Sequence, residues 1–214
     1  MFDTVSIIGC GLIGSSILRA IQSKNLANEV RIFDLSKEAT TYLKKENICS
    51  NISTDIRHCI KDADLVIIAT PLSSYKEIIL SIKDNLKKGT ILTDTGSVKK
   101  EVMKIIHNIN LKDVNWIPSH PIAGTEESGP KAGHAGMFEN RWCIISPPKD
   151  TDTKAIKTLK SLWEAMGSKV KIMTPEAHDE ILSLTSHLPH AIAYNIVRTV
   201  INVEDKLKQE VIQY

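Results

Sequence analysis

Apolar runs of strand length alternate with segments of helical spacing over most of this chain. Runs at Thr4–Gly9, Glu29–Asp34, near Asn51, Asp64–Ala69, Thr90–Asp94, Val114–Pro118, Trp142–Ser146 and Lys169–Met173 predict strands. Between them, Leu12–Ser23, Lys37–Glu46, Asp55–Lys61, Tyr75–Leu86, Val98–Asn108 and Thr153–Met166 carry apolar residues at helical intervals. The run from Asp64 to Thr70 has no polar interruption, as a central parallel strand covered on both faces requires. Serial β-α-β units of this kind predict an α/β fold built on a doubly wound, mostly parallel sheet.

The pattern changes at Thr174-Pro175. From Glu176 to about Val203 one long helical segment is expected, with Ala177, Ile181, Leu184, Leu188, Ile192, Ile196 and Val200 on a single face. A second stripe of Ala191, Tyr194, Val197 and Ile201 widens that face beyond what a surface helix needs, so it calls for a partner helix. Pro189 removes a backbone donor inside the segment and predicts a local disturbance. Glu204–Tyr214 has the pattern of another helix beginning. The expected organisation is an α/β domain over residues 1–174, then the start of an incomplete all-helical dimerisation domain over residues 175–214. Those helices would dock on a second copy, or the chain is truncated.

Composition narrows the class. With 42% hydrophobic and 24% charged residues, the 214-residue chain fits a soluble globular protein able to bury a core. A net charge of +2, with Lys and Glu interspersed, gives no footprint for nucleic acid. No apolar run approaches the roughly 18 residues of a membrane span. The first strand and its glycine turn take the place a signal peptide would occupy. Cys10, Cys49, Cys59 and Cys143 show no C-x-x-C spacing, and read as reduced, buried thiols of a cytoplasmic protein rather than metal ligands.

The strongest chemical signal is Gly9-Cys10-Gly11-Leu12-Ile13-Gly14. A G-x-G-x-x-G turn here lies between a strand and a helix, and Asp34 closes the next apolar run, which is the context of a dinucleotide-binding turn. Gly9 turns the chain off the strand, Gly11 leaves no Cβ before a pyrophosphate, and Gly14 lets the helix approach the sheet. The helix N-terminus at Leu12 and Ile13 offers free N–H groups to the phosphates. Asp34 accepts from a ribose 2′-hydroxyl, whereas a 2′-phosphate about 4 Å away would cost roughly 1–4 kcal/mol per unit charge. NAD is therefore expected over NADP.

Ligands of open α/β sheets lie beyond the carboxyl ends of the strands. Thr70 and Pro71 follow the fourth strand and fall beside the cofactor, although Pro71 also serves to keep its predecessor extended. Ser97 follows the fifth and either caps the next helix or faces the site. His120 follows the sixth, before a loop of small residues; there an imidazole can take a proton from a hydroxyl while hydride leaves the same carbon. His187 and His190 would share a helix face, but no third ligand accompanies them, so no metal is expected. His58, His107, His134 and His178 read as ordinary surface or packing histidines, with Asp179 a local partner of His178.

Four strings follow the glycine turn in order: Asp94-Thr-Gly-Ser-Val-Lys99, Ser119-His-Pro-Ile-Ala-Gly-Thr-Glu126, Phe138-Glu-Asn-Arg-Trp142 and Leu184-Thr-Ser-His-Leu-Pro-His-Ala191. Together they resemble prephenate dehydrogenases, including the cyclohexadienyl (arogenate/prephenate) dehydrogenases, over essentially the whole length given. The resemblance implies a Rossmann-type domain and NAD-dependent oxidative decarboxylation of prephenate to 4-hydroxyphenylpyruvate in tyrosine biosynthesis, with arogenate as a further substrate. It implies that His120 deprotonates the 4-hydroxyl and that Ser97 orients it on the nicotinamide side. Thr125 and Glu126 would shape the substrate pocket, and Ser186 and His190 would reach it from the helical domain. It also implies a carboxylate-clamping arginine, which would lie past Tyr214. Two other readings compete. A β-hydroxyacid dehydrogenase would need a lysine in the helical segment, where none occurs between Lys171 and Lys206. An inactive NAD-binding fragment of the dehydrogenase is the other.

Overall fold

The computed structural model describes residues 2–109 and 111–207, with side chains as far as residue 202. Six parallel strands form the main sheet in the order β3-β2-β1-β4-β5-β6: β1 (Phe2–Ile8), β2 (Ala27–Phe33), β3 (Ile52–Ser53), β4 (Leu65–Ile68), β5 (Ile91–Asp94) and β6 (Asn115–Trp116). Helices α1 (Leu12–Ser23), α2 (Lys37–Lys45), α3 (Ile56–Ile60), α4 (Tyr75–Ile82) and α5 (Lys100–His107) connect them. Chain order reverses between β1 and β4, the switch point at which such sheets bind dinucleotides.

Side-chain alternation along the central strands builds a core on each face. Ile7 and Ile67, opposite each other in the ladder, join Ile17, Leu18 and Ile21 of α1. Their neighbours Ile8 and Ile68 join Tyr75 and Ile79 of α4 on the other face. All four β4 side chains are buried, which is why its sequence shows no polar interruption.

The last three strands do not extend this sheet. A separate sheet holds β7 (Ser119–Pro121), β8 (Trp142–Ile145) and β9 (Lys169–Ile172), with β7-β8 antiparallel and β8-β9 parallel. Pro118 marks the changeover. Ile117 N–H still bonds to Leu92 across the main sheet at 2.9 Å, but Pro118 has no N–H to continue the ladder. Its carbonyl instead accepts from Ser146 at 2.9 Å, and the chain turns to pair with β8. The run expected at Val114–Pro118 is thus a two-residue strand followed by another in a different sheet. His120 sits within β7, opposite Ile144, rather than in a loop beyond a strand end. Helix α6 (Thr153–Ala165) bridges β8 and β9, and its Trp163 packs edge-on against Phe138.

The helical segment begins at α7 (Pro175–Leu182), with Thr174 accepting from Ala177 N as N-cap. A π-helical turn at Ser183–His187 then leads into α8 (Leu188–Leu207). This is the disturbance expected from Pro189, whose ring would otherwise press on the carbonyl one turn earlier. No new helix starts at Glu204, because α8 runs unbroken to Leu207; the remainder of that expected helix lies outside the described residues. The stripe Leu188, Ile192, Ile196 and Val200 is exposed, as are Tyr194, Val197 and Ile201. Among the described residues no helix is long and apolar enough to cross a membrane.

Candidate active site

The glycine turn leaves β1 beside the switch point. Gly9 has φ +90°, and a Cβ there would fall 2.6 Å from the Ala69 carbonyl oxygen of the neighbouring strand end. A Cβ on Gly14 would fall 2.0 Å from the Gly9 oxygen, so helix and turn pack in contact. Gly11 differs: a Cβ on it would meet nothing within 4 Å. It faces open space as the N-cap of α1, and no side chain caps that helix. A helix N-terminus with uncapped donors and a glycine before it fits the pyrophosphate of a dinucleotide.

Asp34 lies just past the end of β2. Its carboxylate accepts from Cys10 N at 2.6 Å and from Ser36 N at 2.7 Å, which fixes it against the turn. A cavity of about 540 Å³ opens here, lined by Gly9, Gly11, Asp34, Leu35, Thr70 and Pro71 among others. Its size and the carboxylate on its wall fit an adenosine moiety. The segment after Ser128 is tied to the outer side of the same helix. Arg19 of α1 donates to Pro130 O at 3.0 Å, and Ser16 Oγ accepts from His134 N at 3.1 Å.

A second group of side chains gathers where β5 and β7 meet. Lys99 is fully buried and donates to Asp94 Oδ2 at 2.6 Å and to the Ser119 carbonyl at 2.7 Å. Burial pulls the Lys99 pKa down and Asp94 opposes that pull. Asp94 also accepts from Tyr75 Oη, Gly96 N and Ser119 N, so the Thr95–Lys99 loop is pinned to the residue before His120. His120 Nδ1 lies 2.8 Å from His178 Nε2, and His178 Nδ1 lies 2.7 Å from Asp179 Oδ1. Burial lowers the His120 pKa to about 3, and the Lys99 charge pushes the same way, so the ring is neutral at physiological pH. His178, wholly buried, is lowered by burial too, although Asp179 works against it.

The remaining candidates are less enclosed. Ser97 is exposed in the loop between β5 and α5, and it is not a helix cap: α5 begins at Lys100. The Asp179 carboxylate caps it instead, accepting from Lys99 N at 2.8 Å and Lys100 N at 2.9 Å. Thr125 and Glu126 are exposed in the loop after β7, and Gly124 of that loop approaches Leu12 in the cofactor turn. Ser186 is half-buried in the π-helical turn, whereas His190 is exposed on the first turn of α8. The structure thus joins the glycine turn, Asp34, Thr70 and Pro71 around one cavity. It ties the Ser97 loop to β7 through Lys99, and leaves His190 outside both groups.

A family model described as prephenate dehydrogenase, nucleotide-binding domain, matches residues 17–172, and one described as prephenate dehydrogenase, dimerization domain, matches residues 174–214. The chain belongs to the prephenate dehydrogenase family. It is 37% identical to a cyclohexadienyl dehydrogenase of Zymomonas mobilis over all 214 residues, which span 73% of that protein. It is 30% identical to a prephenate dehydrogenase of Bacillus subtilis over 92% of the chain, although it spans only 53% of that relative. A crystal structure of prephenate dehydrogenase from Aquifex aeolicus, in complex with hydroxyphenyl propionate and NAD+, superposes with a TM-score of 0.86 at 31% identity. That match covers 94% of this chain and 70% of the other.

For a prephenate dehydrogenase, two parts of the site escape a reading of the sequence. His178, taken as an ordinary packing histidine, touches His120 directly. Lys99, in a string of otherwise small residues, is the buried cation beneath the site. The His178-Asp179 dipeptide at the start of a helix was the available signal; its meaning depends on where α7 docks, which no local pattern specifies.

Proposed function

We propose that this chain carries out NAD-dependent oxidative decarboxylation of prephenate to 4-hydroxyphenylpyruvate in tyrosine biosynthesis, in the cytoplasm and as a homodimer. The observation that carries the reading is His120, a half-buried imidazole that desolvation keeps neutral, on the strand pinned to the Ser97 loop. Residues 1–174 bind the cofactor, with Gly9, Gly11, Leu12, Ile13 and Gly14 at the pyrophosphate, Asp34 at the ribose, and Thr70 and Pro71 along the adenosine cavity. Two backbone donors hold the Asp34 carboxylate, and an ionised carboxylate has about four acceptor sites, so capacity remains for a ribose hydroxyl. Bound NAD supplies the hydride acceptor.

His120 takes the proton of the substrate 4-hydroxyl as the hydride departs from the same ring carbon and the ring carboxylate leaves as CO2. A neutral ring is the state that can accept a proton, and burial keeps it neutral. Ser97 orients the hydroxyl on the nicotinamide side. Thr125 and Glu126 line the entrance, and Ser186 and His190 contribute from residues 175–214, whose exposed α8 stripe supports pairing with a second copy. The four buried free cysteines support a reducing compartment.

The test mixes the purified chain with NAD and, in separate reactions, prephenate or arogenate, following absorbance of the reduced cofactor. His120→Asn is expected to bind NAD as the parent does and to lose at least about 100-fold in turnover. Near-normal turnover by that variant would remove His120 from the reaction. A parent chain that turns over neither substrate would overturn the reading.

A further inference from the structure

His120 has two ring nitrogens, and the contacts behind it decide which one is basic. Asp179 anchors these contacts. Its carboxylate receives two backbone N–H groups, from Lys99 and Lys100, and lies 2.7 Å from His178 Nδ1. Burial alone would raise the Asp179 pKa, but these donors outweigh it and hold the group below the usual carboxylate range. An ionised carboxylate only accepts, so the hydrogen on that contact belongs to His178 Nδ1. His178 is buried and neutral, so its Nε2 then carries a lone pair and no hydrogen. That lone pair faces His120 Nδ1 at 2.8 Å. If His120 carried its hydrogen on Nε2, two lone pairs would meet at that distance. Only Nδ1–H on His120 gives a hydrogen bond.

We infer that His178 and Asp179 are positioning residues that hold His120 as its Nδ1–H tautomer, making Nε2 the basic nitrogen that receives the substrate proton. The inference rests on the dehydrogenase reading for its reaction. In that step the substrate O–H bond breaks and the Nε2–H bond forms, while the hydride passes to NAD+ and the ring carboxylate leaves as CO2; the phenolate so formed then takes the proton back from Nε2 to give 4-hydroxyphenylpyruvate. His120 becomes an imidazolium, and its Nδ1–H bond to His178 becomes charge-assisted and stronger. The charges facing His120 divide. Lys99, from the loop before α5, His178 on α7 whenever it is itself charged, and His187, from the π-helical turn, oppose a positive ring, and Asp179 on α7 favours it. His178 is the neutral acceptor between ring and carboxylate. Cys143, on β8, keeps its proton because burial pushes its pKa well up, and Asp94 is spent on Lys99.

Two measurements test this. The first is nitrogen NMR of the full chain labelled with 15N-histidine, near neutral pH and without substrate, which reads tautomers independently of any activity. His120 and His178 should both show a protonated Nδ1 and a bare Nε2. A His120 ring protonated on Nε2 would overturn the inference. The second compares His178→Phe with His178→Gln, whose side-chain oxygen can replace the lost acceptor. In His178→Phe, kcat with prephenate should fall about 10- to 100-fold with KM for NAD unchanged, from loss of a hydrogen bond to a charged group. The acid limb of its pH profile should move to lower pH, because the base is weakened. His178→Gln should keep the Nδ1–H tautomer of His120 and restore most of the rate. Packing damage alone would admit water and move the limb to higher pH, and a limb that rises or stays fixed refutes the positioning role. If the parent chain proves inactive on prephenate, the reading of the reaction fails while the NMR still decides the tautomer. If His178→Phe does not fold, the NMR of the parent and of His178→Gln decides.

Discussion

Replacing Lys99 with Met would test how far this site depends on one buried charge. The ammonium and the Asp94 carboxylate are both wholly buried and 2.6 Å apart. Removing one partner of such a pair costs about 3–5 kcal/mol, because the other charge stays buried without compensation. Asp94 would keep three donors, Tyr75 Oη at 3.2 Å, Gly96 N at 2.8 Å and Ser119 N at 3.3 Å, which places the cost at the lower end. The Ser119 carbonyl would also lose its donor. We expect Lys99→Met to lose about 3 kcal/mol, which for a chain of this size lowers the melting temperature by roughly 6–12 °C. Thermal denaturation followed by circular dichroism measures it. In a double-mutant cycle, Asp94→Asn with Lys99→Met should cost less than the two single changes summed, with a coupling of about 1–3 kcal/mol. The cation also opposes protonation of His120, so its removal should raise that pKa and move the acid limb of activity upward. A loss below about 1 kcal/mol, or strictly additive changes, would show that the pair contributes little and refute the reasoning.

Other outcomes are expected from the same geometry. Gly14→Ala drives a Cβ to 2.0 Å from the Gly9 oxygen and should destabilise the fold by more than about 2 kcal/mol, whereas Gly11→Ala, with open space before it, should leave stability unchanged and weaken NAD binding at least about 10-fold. Denaturation and calorimetric titration separate the two. The His120 pKa falls from 6.5 unfolded to about 3 folded, so between those values the unfolded chain binds more protons and stability rises with pH. The contribution is complete above pH 6.5 and lost as pH falls towards 3, at up to about 1.4 kcal/mol per pH unit; urea midpoints from pH 7 to 5 should fall less steeply in His120→Gln. Ile192→Glu with Ile196→Glu places charges on the exposed α8 stripe and should shift the chain from dimer to monomer by light scattering.

The sheet and the cofactor turn were legible because their causes are local. Glycines at fixed offsets between a strand and a helix, and the burial of Leu65–Ile68 on both faces, follow from neighbours in the chain. The division of the strands into two sheets was less legible, since Pro118 reads as the end of a run whether the next strand rejoins the same sheet or another. Ser97 resembled an N-cap because serine near a helix start usually is one. The actual cap, Asp179, comes from 80 residues beyond Lys99. Nothing local marked Lys99, because its burial depends on Asp94 and Ser119 converging around it in three dimensions. His120 could be singled out from its position after a strand, but the partner that faces it could not.

The remote cap on α5 also bears on how the chain can be divided. Asp179 belongs to the helical segment, yet it satisfies the first donors of a helix in the nucleotide-binding half and steadies the loop that carries Ser97. Cutting the chain between β9 and α7 would leave those donors to water and free His120 from His178. A nucleotide-binding half produced alone would keep its glycine turn and its affinity for the adenosine end of the cofactor. It would lose the order of the catalytic end, so the boundary that separates the two matched domains runs through the site.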